Sequence, residues 1–365
     1  MEAPIEVSKR LNGASPKSGR PVAKQAFRNG EIHDWYRIVL GYSDHLVSDL
    51  IDRFDLSPAD RVLDPFCGTG TTLVECMKRG LNPVGIDANP SSSYAAKVKT
   101  TWGLSPNHLL ELLPRVLSAY EVILDDDELI GADQTLQYLT TSGMVKRGWI
   151  SPLPLRKVIA LKLSLQRIRT SPDYLRVLRL ALVAELVSGA SNVKFGPELY
   201  CGKAKTDADV LSGYVTRVKK IANDLEIVAG LGAPRPTILE GDSRSCRRII
   251  RESGAGSFSC VITSPPYPTE HDYTRNSRLE LALLGFVSGR ETLREIKRGM
   301  IRSHTKGIYA ADCDSKLVAN HPLLKPIISA VDARAAEKTH GFAKLYSTAY
   351  PSSDAIDASI SAVGM

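Results

Sequence analysis

The chain has 365 residues, of which 43% are hydrophobic and 24% charged, and its formal net charge is +7. This composition is typical of a globular protein and allows one large domain or two medium ones. No apolar run reaches the length of a membrane span and the N-terminus lacks a signal-peptide core, so we expect an intracellular, cytoplasmic protein. The cysteines are scattered without zinc-site spacing, which predicts free, mostly buried thiols and no metal. The basic excess is compatible with a polyanionic partner.

The N-terminal part of the chain predicts a tail followed by a helix. Residues 1–28 are rich in Lys, Arg, Ser, Pro and Gly. They predict a basic flexible tail, which either touches phosphates or is simply a disordered terminus. From Ile32 to Phe54 the apolar residues recur at helical spacing.

Two short buried strands follow, at Arg61–Leu63 and at Pro83–Asp87, with a glycine-rich loop and a helix between them. This spacing predicts a parallel α/β sheet, and residues 29–91 are the first part of its core. Residues 92–235 consist mainly of helix-period stretches and predict a helical insertion, a candidate target-recognition region. Strand patterns return within residues 236–285, the second part of the core. Residues 286–365 predict a basic helical region and an atypical C-terminal tail.

The sequence "DPFCGTGTT", Asp64 to Thr72, places two glycines where a strand must turn sharply into a helix. Glycine admits positive φ and allows a ligand close to the backbone. The loop lacks the Lys-Ser/Thr pair of a phosphate-binding loop, and Asp64 favours an amino group over a pyrophosphate at the strand end. Asp87 ends the next strand, where a carboxylate can accept hydrogen bonds from both hydroxyls of a ribose. S-adenosylmethionine (SAM) offers an ammonium, a ribose and an adenine.

Asp242 follows a third strand-like run, "PTILEGDSR". It is either an acceptor for the adenine amino group or a solvated loop acid. The predicted cofactor-binding residues are Asp64, Pro65, Phe66, Cys67, Gly68, Gly70, Thr71, Asp87 and Asp242.

The later segment "TSPPY", Thr263 to Tyr267, stops a buried strand with two prolines, which cannot donate to a sheet. Together, "DPFCGTG", "GIDANP" and "SPPY" resemble the motifs of the amino-methyltransferases that modify exocyclic nitrogens of DNA bases. The stretches around His33 to Phe54 and His271 to Phe286 resemble the segments that flank those motifs. The resemblance covers residues 27 to about 310 and implies a Rossmann-like SAM-dependent methyltransferase sheet with the large insertion between its two motifs.

In such an enzyme the elbow formed by Ser264, Pro265, Pro266 and Tyr267 is catalytic. The exocyclic amino nitrogen of a base is a poor nucleophile, and accepting hydrogen bonds from its hydrogens directs the lone pair toward the methyl group. The Ser264 hydroxyl and the Pro265 carbonyl are placed to do so. Tyr267 can stack on a flipped base. His33, Trp35 and Tyr36 resemble a motif beside the methionine end of the cofactor, although such residues are more often simple helix packing.

The resemblance implies double-stranded DNA as the substrate and a restriction-modification setting with a cognate endonuclease. Serine at the first elbow position favours cytosine N4 over adenine N6 as the methyl acceptor. The alternatives are a tRNA guanine-N2 methyltransferase and an inactive, truncated DNA-binding remnant. The last alternative is motivated by the 98 or so residues after Tyr267, in which the late strands of such a sheet are not recognisable. A basic group around Arg275 to Lys306 is either a phosphate-binding face or a solvated one.

Overall fold

The protein is built on a parallel four-stranded sheet with strand order β5-β2-β1-β6. The computed structural model describes residues 30–36, 41–195, 199–267 and 271–303, with a few single positions between 322 and 333. The strands of the sheet are β1 (Arg61–Asp64), β2 (Asn82–Asp87), β5 (Thr237–Glu240) and β6 (Cys260–Val261). The predicted Rossmann-like α/β fold is confirmed.

The register of the sheet brings the ends of its strands to one edge. Asp64 is opposite Gly85 in the β1–β2 pair, and Asp87 is opposite Glu240 in the β2–β5 pair. Because all four strands run in the same direction, the loops that follow them lie at this carboxyl edge, where ligands of open α/β sheets bind. Residues 62–64 of β1 and 83–86 of β2 are buried, as expected for strands covered on both faces.

Helices connect and cover these strands. They are α1 (Asp44–Arg53), α2 (Thr71–Lys78), α3 (Pro90–Lys99) and α10 (Cys246–Ser253). The N-cap of α3 is Asn89, whose side chain accepts from the Ser91 amide, and Pro90 fills the first helical position, where no amide donor is needed. The helix predicted from Ile32 to Phe54 is wrong in extent: His33–Trp35 form a single 3₁₀ turn and the α-helix begins only at Asp44.

The segment between the two halves of the sheet is mainly helical, as predicted. Its helices are α4 (Pro106–Leu124), α5 (Asp127–Gly131), α6 (Gln134–Thr141), α7 (Pro152–Gln166), α8 (Pro172–Glu185) and α9 (Val210–Val228), with a π-helical turn at Leu186–Ala190. It also contains an antiparallel hairpin that the sequence pattern did not predict, formed by β3 (Val193–Phe195) and β4 (Leu199–Cys201). One hydrophobic core runs from Ile32 through this segment to Val287. The division of the chain into separate domains therefore stays a prediction.

Between the elbow and residue 303 the chain forms α11 (Tyr273–Asn276), α12 (Arg278–Leu283) and α13 (Arg290–Gly299). The predicted N-terminal tail lies outside the described residues, as does most of the C-terminal region in which no late strands were recognised. The five described cysteines are free thiols, and Cys67, Cys76 and Cys246 are buried. None of the described helices is both long enough and apolar enough to cross a membrane.

Candidate active site

The loop between β1 and α2 requires its two glycines for different reasons. Gly68 and Gly70 have φ of +53° and +87°, in the left-handed region that favours glycine. Gly70 is the N-cap of α2, and a Cβ there would lie 3.2 Å from the Cβ of Ala96 on α3. A Cβ on Gly68 would meet no atom within 4 Å, because this residue faces the open space of a pocket.

Asp87 at the end of β2 holds this loop in place. Its carboxylate accepts hydrogen bonds from the Gly68 amide at 2.9 Å and from the Asn89 amide at 2.8 Å. Burial raises the pKa of Asp87 to about 6, although the two amide donors favour the ionised form. The side chain also lines the pocket, so this acid both shapes the glycine loop and faces a ligand.

Asp64 at the end of β1 differs from Asp87 in its surroundings. It is fully buried and accepts hydrogen bonds from Tyr42, Thr72, Thr263 and the Phe66 amide, at 2.7 to 3.1 Å. Burial raises the pKa of its carboxyl group, and these four donors partly offset the effect. Asp64 is not among the residues that line the pocket. It links the N-terminal segment, the glycine loop and the elbow; direct contact with a cofactor ammonium stays a prediction for it.

The elbow continues directly from β6. The amide of Ile262 still donates to the Leu63 carbonyl at 3.1 Å, and Thr263 then turns its hydroxyl to Asp64, at 2.7 Å. The Ser264 hydroxyl lies 3.5 Å from the Tyr267 hydroxyl, and the Tyr267 amide donates to the hydroxyl of Tyr273 at 3.0 Å. Tyr267 is 47% exposed, which leaves its ring open to a flat ligand.

The glycine loop and the elbow form the walls of one pocket at the carboxyl edge of the sheet. Its space is about 880 Å³, including the part open to solvent, which is in the range of small-molecule sites. The predicted site residues that line it are Phe66, Cys67, Gly68, Thr71, Asp87, Ser264, Pro265, Pro266 and Tyr267. The two motifs, separated by almost 200 residues along the chain, thus meet in space.

Four predicted cofactor residues do not line this pocket: Asp64, Pro65, Gly70 and Asp242. The Pro65 carbonyl accepts from the Ser243 hydroxyl. Asp242 forms an ion pair with Arg244 at 2.6 Å and accepts from its backbone amide, so its carboxylate is already occupied within the protein. Contact between Asp242 and an adenine therefore stays a prediction.

The three residues compared with the methionine-end motif are buried packing groups outside the pocket. Trp35 donates to Asp224 at 2.8 Å and Tyr36 donates to Glu280 at 2.7 Å. His33 is hydrogen bonded to Glu75 at 2.8 Å.

His33, Asp44 and Glu75 place one potential ligand atom each within 4.8 Å of one another. Burial by itself would raise the pKa of Glu75, but hydrogen bonds from His33 and Lys78 lower it to about 2. With a lysine ammonium 2.8 Å from Glu75, this cluster is an ion-pair network, and it gives no support for a metal site.

Sequence reasoning missed several lining residues: Tyr42, Asn89, Ser243, Tyr273 and the segment Gly299 to Ile301. Asn89 lies two residues after the end of β2 and Ser243 lies three residues after the end of β5, positions that could have identified them. Tyr42, Tyr273 and residues 299–301 enter the pocket from elements outside the sheet, and no local pattern marks them.

Residues 42–98 match the sequence model of a family described as DNA methylase. The chain is similar to the Type II methyltransferase M.BsoBI of Geobacillus stearothermophilus, with 28% identity over 308 residues, covering 77% of this chain and 57% of that protein. It is similar to the Type II methyltransferase M.AvaI of Nostoc sp., with 26% identity over 301 residues, covering 78% of this chain and 60% of that protein. A match of 61 residues at 39% identity, to the Type II methyltransferase M.MjaII of Methanocaldococcus jannaschii, covers 16% of this chain and 12% of that protein.

The chain therefore spans less than two thirds of the length of the curated relatives it matches. No solved structure shows significant similarity to it. The family match covers the glycine loop and the acid at the end of β2, and the two longer relatives extend the similarity over more than three quarters of the chain. With the parallel sheet, these similarities confirm the predicted resemblance of the chain to the DNA amino-methyltransferases.

Proposed function

We propose that the protein transfers a methyl group from SAM to the exocyclic amino nitrogen of a base in double-stranded DNA. The observation that carries this proposal is the shared pocket, in which the glycine loop and Asp87 face Ser264, Pro265 and Tyr267. The relatives' description as Type II methyltransferases supports DNA as the substrate and a restriction-modification setting with a cognate endonuclease.

The pocket residues fit SAM. Gly68 leaves room for a ligand close to the backbone, and the Asp87 carboxylate lies at a strand end where a ribose can donate two hydroxyls to it. The Phe66 ring, the Ser243 side chain and the Asn89 side chain add an apolar face and polar groups to the same cavity. When bound there, SAM would supply a methyl group on a positively charged sulfur, activated without help from the protein.

The chain's own chemical task is then to prepare the amino group. The Ser264 hydroxyl oxygen and the Pro265 carbonyl accept one hydrogen bond each from the two amino hydrogens. This withdraws the nitrogen lone pair from the ring and directs it toward the methyl carbon. Attack of this nitrogen on a methyl group supplied by SAM would release neutral S-adenosylhomocysteine, and the methylated amino group would give up one proton to solvent. Since Pro265 and Pro266 restrict the backbone, the carbonyl is held in place before the base arrives.

Tyr267 supplies the platform for a base removed from the duplex. Its half-exposed ring lies beside Ser264, and the Tyr273 hydroxyl holds its backbone amide. An enzyme that acts on a base nitrogen must take the base out of the stack, and an aromatic face repays part of the lost stacking. Serine at the first elbow position leads us to propose cytosine N4 as the acceptor, with adenine N6 as the alternative.

The test is transfer of labelled methyl from SAM to duplex DNA. We expect the double variant Ser264→Ala/Tyr267→Ala to lose incorporation, whereas Ser257→Ala, at an exposed serine just before β6, keeps it. Incorporation that survives the double change would refute the role of the elbow. Labelling of tRNA but not of DNA would identify tRNA as the substrate. Calorimetric binding of S-adenosylhomocysteine without any transfer would identify an inactive remnant. Sequencing of the methylated DNA then distinguishes N4-methylcytosine from N6-methyladenine.

A further inference from the structure

The β3–β4 hairpin lies beside the segment that follows the elbow. Asn192 fixes its base: the Asn192 amide donates to the Trp149 carbonyl at 2.8 Å, and the Asn192 carbonyl accepts from Gly202 at 2.7 Å. At the start of β4, the Leu199 carbonyl accepts a hydrogen bond from the Arg275 guanidinium of α11 at 3.4 Å. Since Tyr273 of the same helix lines the pocket, the hairpin is connected to the pocket rim through a single helix of four residues.

The described residues of the hairpin present exposed aromatic rings and exposed positive charge. Phe195 is 37% exposed and Tyr200 is 55% exposed, and Tyr200 is directly opposite Lys194 in the strand pair. Exposed cations on the hairpin and next to it are Lys146, Arg147, Lys194 and Lys203. The Arg147 carbonyl contacts the Cys201 thiol at 3.5 Å, which places that loop against β4.

These four cations differ from Arg294 and Lys297 of α13. Within the described ranges, none of the four forms an ion pair with a carboxylate. On α13, by contrast, Arg294 pairs with Glu291 at 2.9 Å and Lys297 pairs with Asp272 at 2.7 Å. Burial, followed by the charge of Lys194, lowers the pKa of Lys205 at the hairpin base. The four exposed cations without a described carboxylate partner therefore favour a polyanion at this surface.

We infer that the β3–β4 hairpin is a DNA-contacting element that holds the duplex next to the pocket. Lys194 and Lys203 contact phosphates, and Tyr200 packs against the sugars or base edges of the groove. A two-stranded ribbon fits the major groove of B-DNA, and phosphate contacts fix its position there. This inference rests on the proposed function, and it names the part of the helical insertion that meets the substrate.

The test measures duplex DNA binding of the full chain by fluorescence anisotropy at several salt concentrations. Each lost phosphate contact lowers the slope of log affinity against log salt by about 0.9. We therefore expect Lys194→Ala/Lys203→Ala to lower the slope by about 1.8, so that between 50 and 200 mM salt its affinity falls about 12-fold less than that of the wild type. Tyr200→Ala should weaken binding at every salt concentration and leave the slope unchanged, because its ring carries no charge.

The matched control is Arg167→Ala/Arg169→Ala. Both arginines are exposed and follow α7, whose other end, at Ser151, accepts a hydrogen bond from Asn192 at the hairpin base. A helix of 15 residues places them about 22 Å from that base. The control removes the same charge and should keep the wild-type slope.

The outcomes separate this inference from the proposed function. If wild-type protein binds DNA and the Lys194/Lys203 variant has the slope of the control, the hairpin assignment is wrong and the proposed function stands. If wild-type protein neither binds nor methylates duplex DNA, both are wrong. Should the double variant fail to fold, as judged by its melting temperature, Lys194→Gln alone is expected to lower the slope by about 0.9.

Discussion

Replacing Thr263 by valine removes one hydroxyl donor from Asp64 and keeps the shape of the side chain. The Thr263 hydroxyl lies 2.7 Å from one carboxylate oxygen of Asp64, and the Thr72 hydroxyl lies 2.7 Å from the other. Hydrogen bonds to charged groups contribute about 1.5–3 kcal/mol, so Thr263→Val and Thr72→Val should each lower the free energy of unfolding by about that amount. Three donors remain on the carboxylate in each variant.

The two variants should differ in catalysis, because only Thr263 adjoins Ser264. We expect Thr263→Val to lower kcat for methyl transfer at least tenfold, which corresponds to about 1.4 kcal/mol of transition-state stabilisation, with the affinity for S-adenosylhomocysteine unchanged. Thr72→Val should keep kcat within about threefold, or about 0.7 kcal/mol. Urea unfolding and single-turnover transfer to DNA provide the two measurements, and Thr263→Ser should restore activity. Equal losses of kcat in the two valine variants would refute the view that Asp64 positions the elbow.

Three further predictions concern buried acids and a glycine. Because the pKa of Asp87 is raised to about 6, affinity for S-adenosylhomocysteine, measured by calorimetry, should fall below pH 6, and Asp87→Asn should remove this dependence. The free energy of unfolding changes in the opposite direction. The stabilisation that comes from protonated Asp87 is fully present below about pH 4 and is lost as the pH rises through about 6. Burial raises the pKa of Glu280 to about 7, so Glu280→Gln should raise the urea midpoint at pH 8.5 and leave it unchanged at pH 4; equal effects at both would contradict the assignment. A Cβ on Gly85 would lie 2.8 Å from the Cys67 sulfur, so Gly85→Ala should lower the free energy of unfolding by about 1–3 kcal/mol and weaken cofactor binding. Gly103→Ala, which meets no atom within 4 Å, should do neither.

The sheet and the two motif loops could be predicted because their signals are local. Strand, terminal acid and glycine loop lie within a few residues of each other at Asp64, and a strand and its terminal acid recur at Asp87. The proline pair after β6 likewise marks the end of that strand, because proline has no backbone N–H to donate to a sheet. The helical character of the insertion follows from apolar spacing alone, and the structure confirms that this segment is mainly helical.

The partners of the site residues could not be predicted, since they come from distant parts of the chain. Asp64 is the clearest case: its position suggested a ligand contact, but Tyr42 and Thr263 reach it from sequence separations of 22 and 199 residues. Asp242 is paired by Arg244, a neighbour that sequence alone leaves free to point into solvent. The β3–β4 hairpin was missed because its strands have three residues each and lack an alternating pattern.

The central place of β1 in the strand order has a consequence for biosynthesis. Its partner on one side, β2, follows within about 20 residues, whereas the elbow strand on the other side arrives only after the whole insertion; Thr263 and Asp64 are 199 residues apart. At about 5–20 residues per second, the ribosome needs about 10–40 s to supply that second partner. Throughout this interval the free edge of β1 offers unpaired amides and carbonyls to any other strand. The edge of β1 in the nascent chain thus stays open to other strands until β6 pairs with it. Because the elbow directly follows β6, the same few residues complete the strand pairing and the pocket.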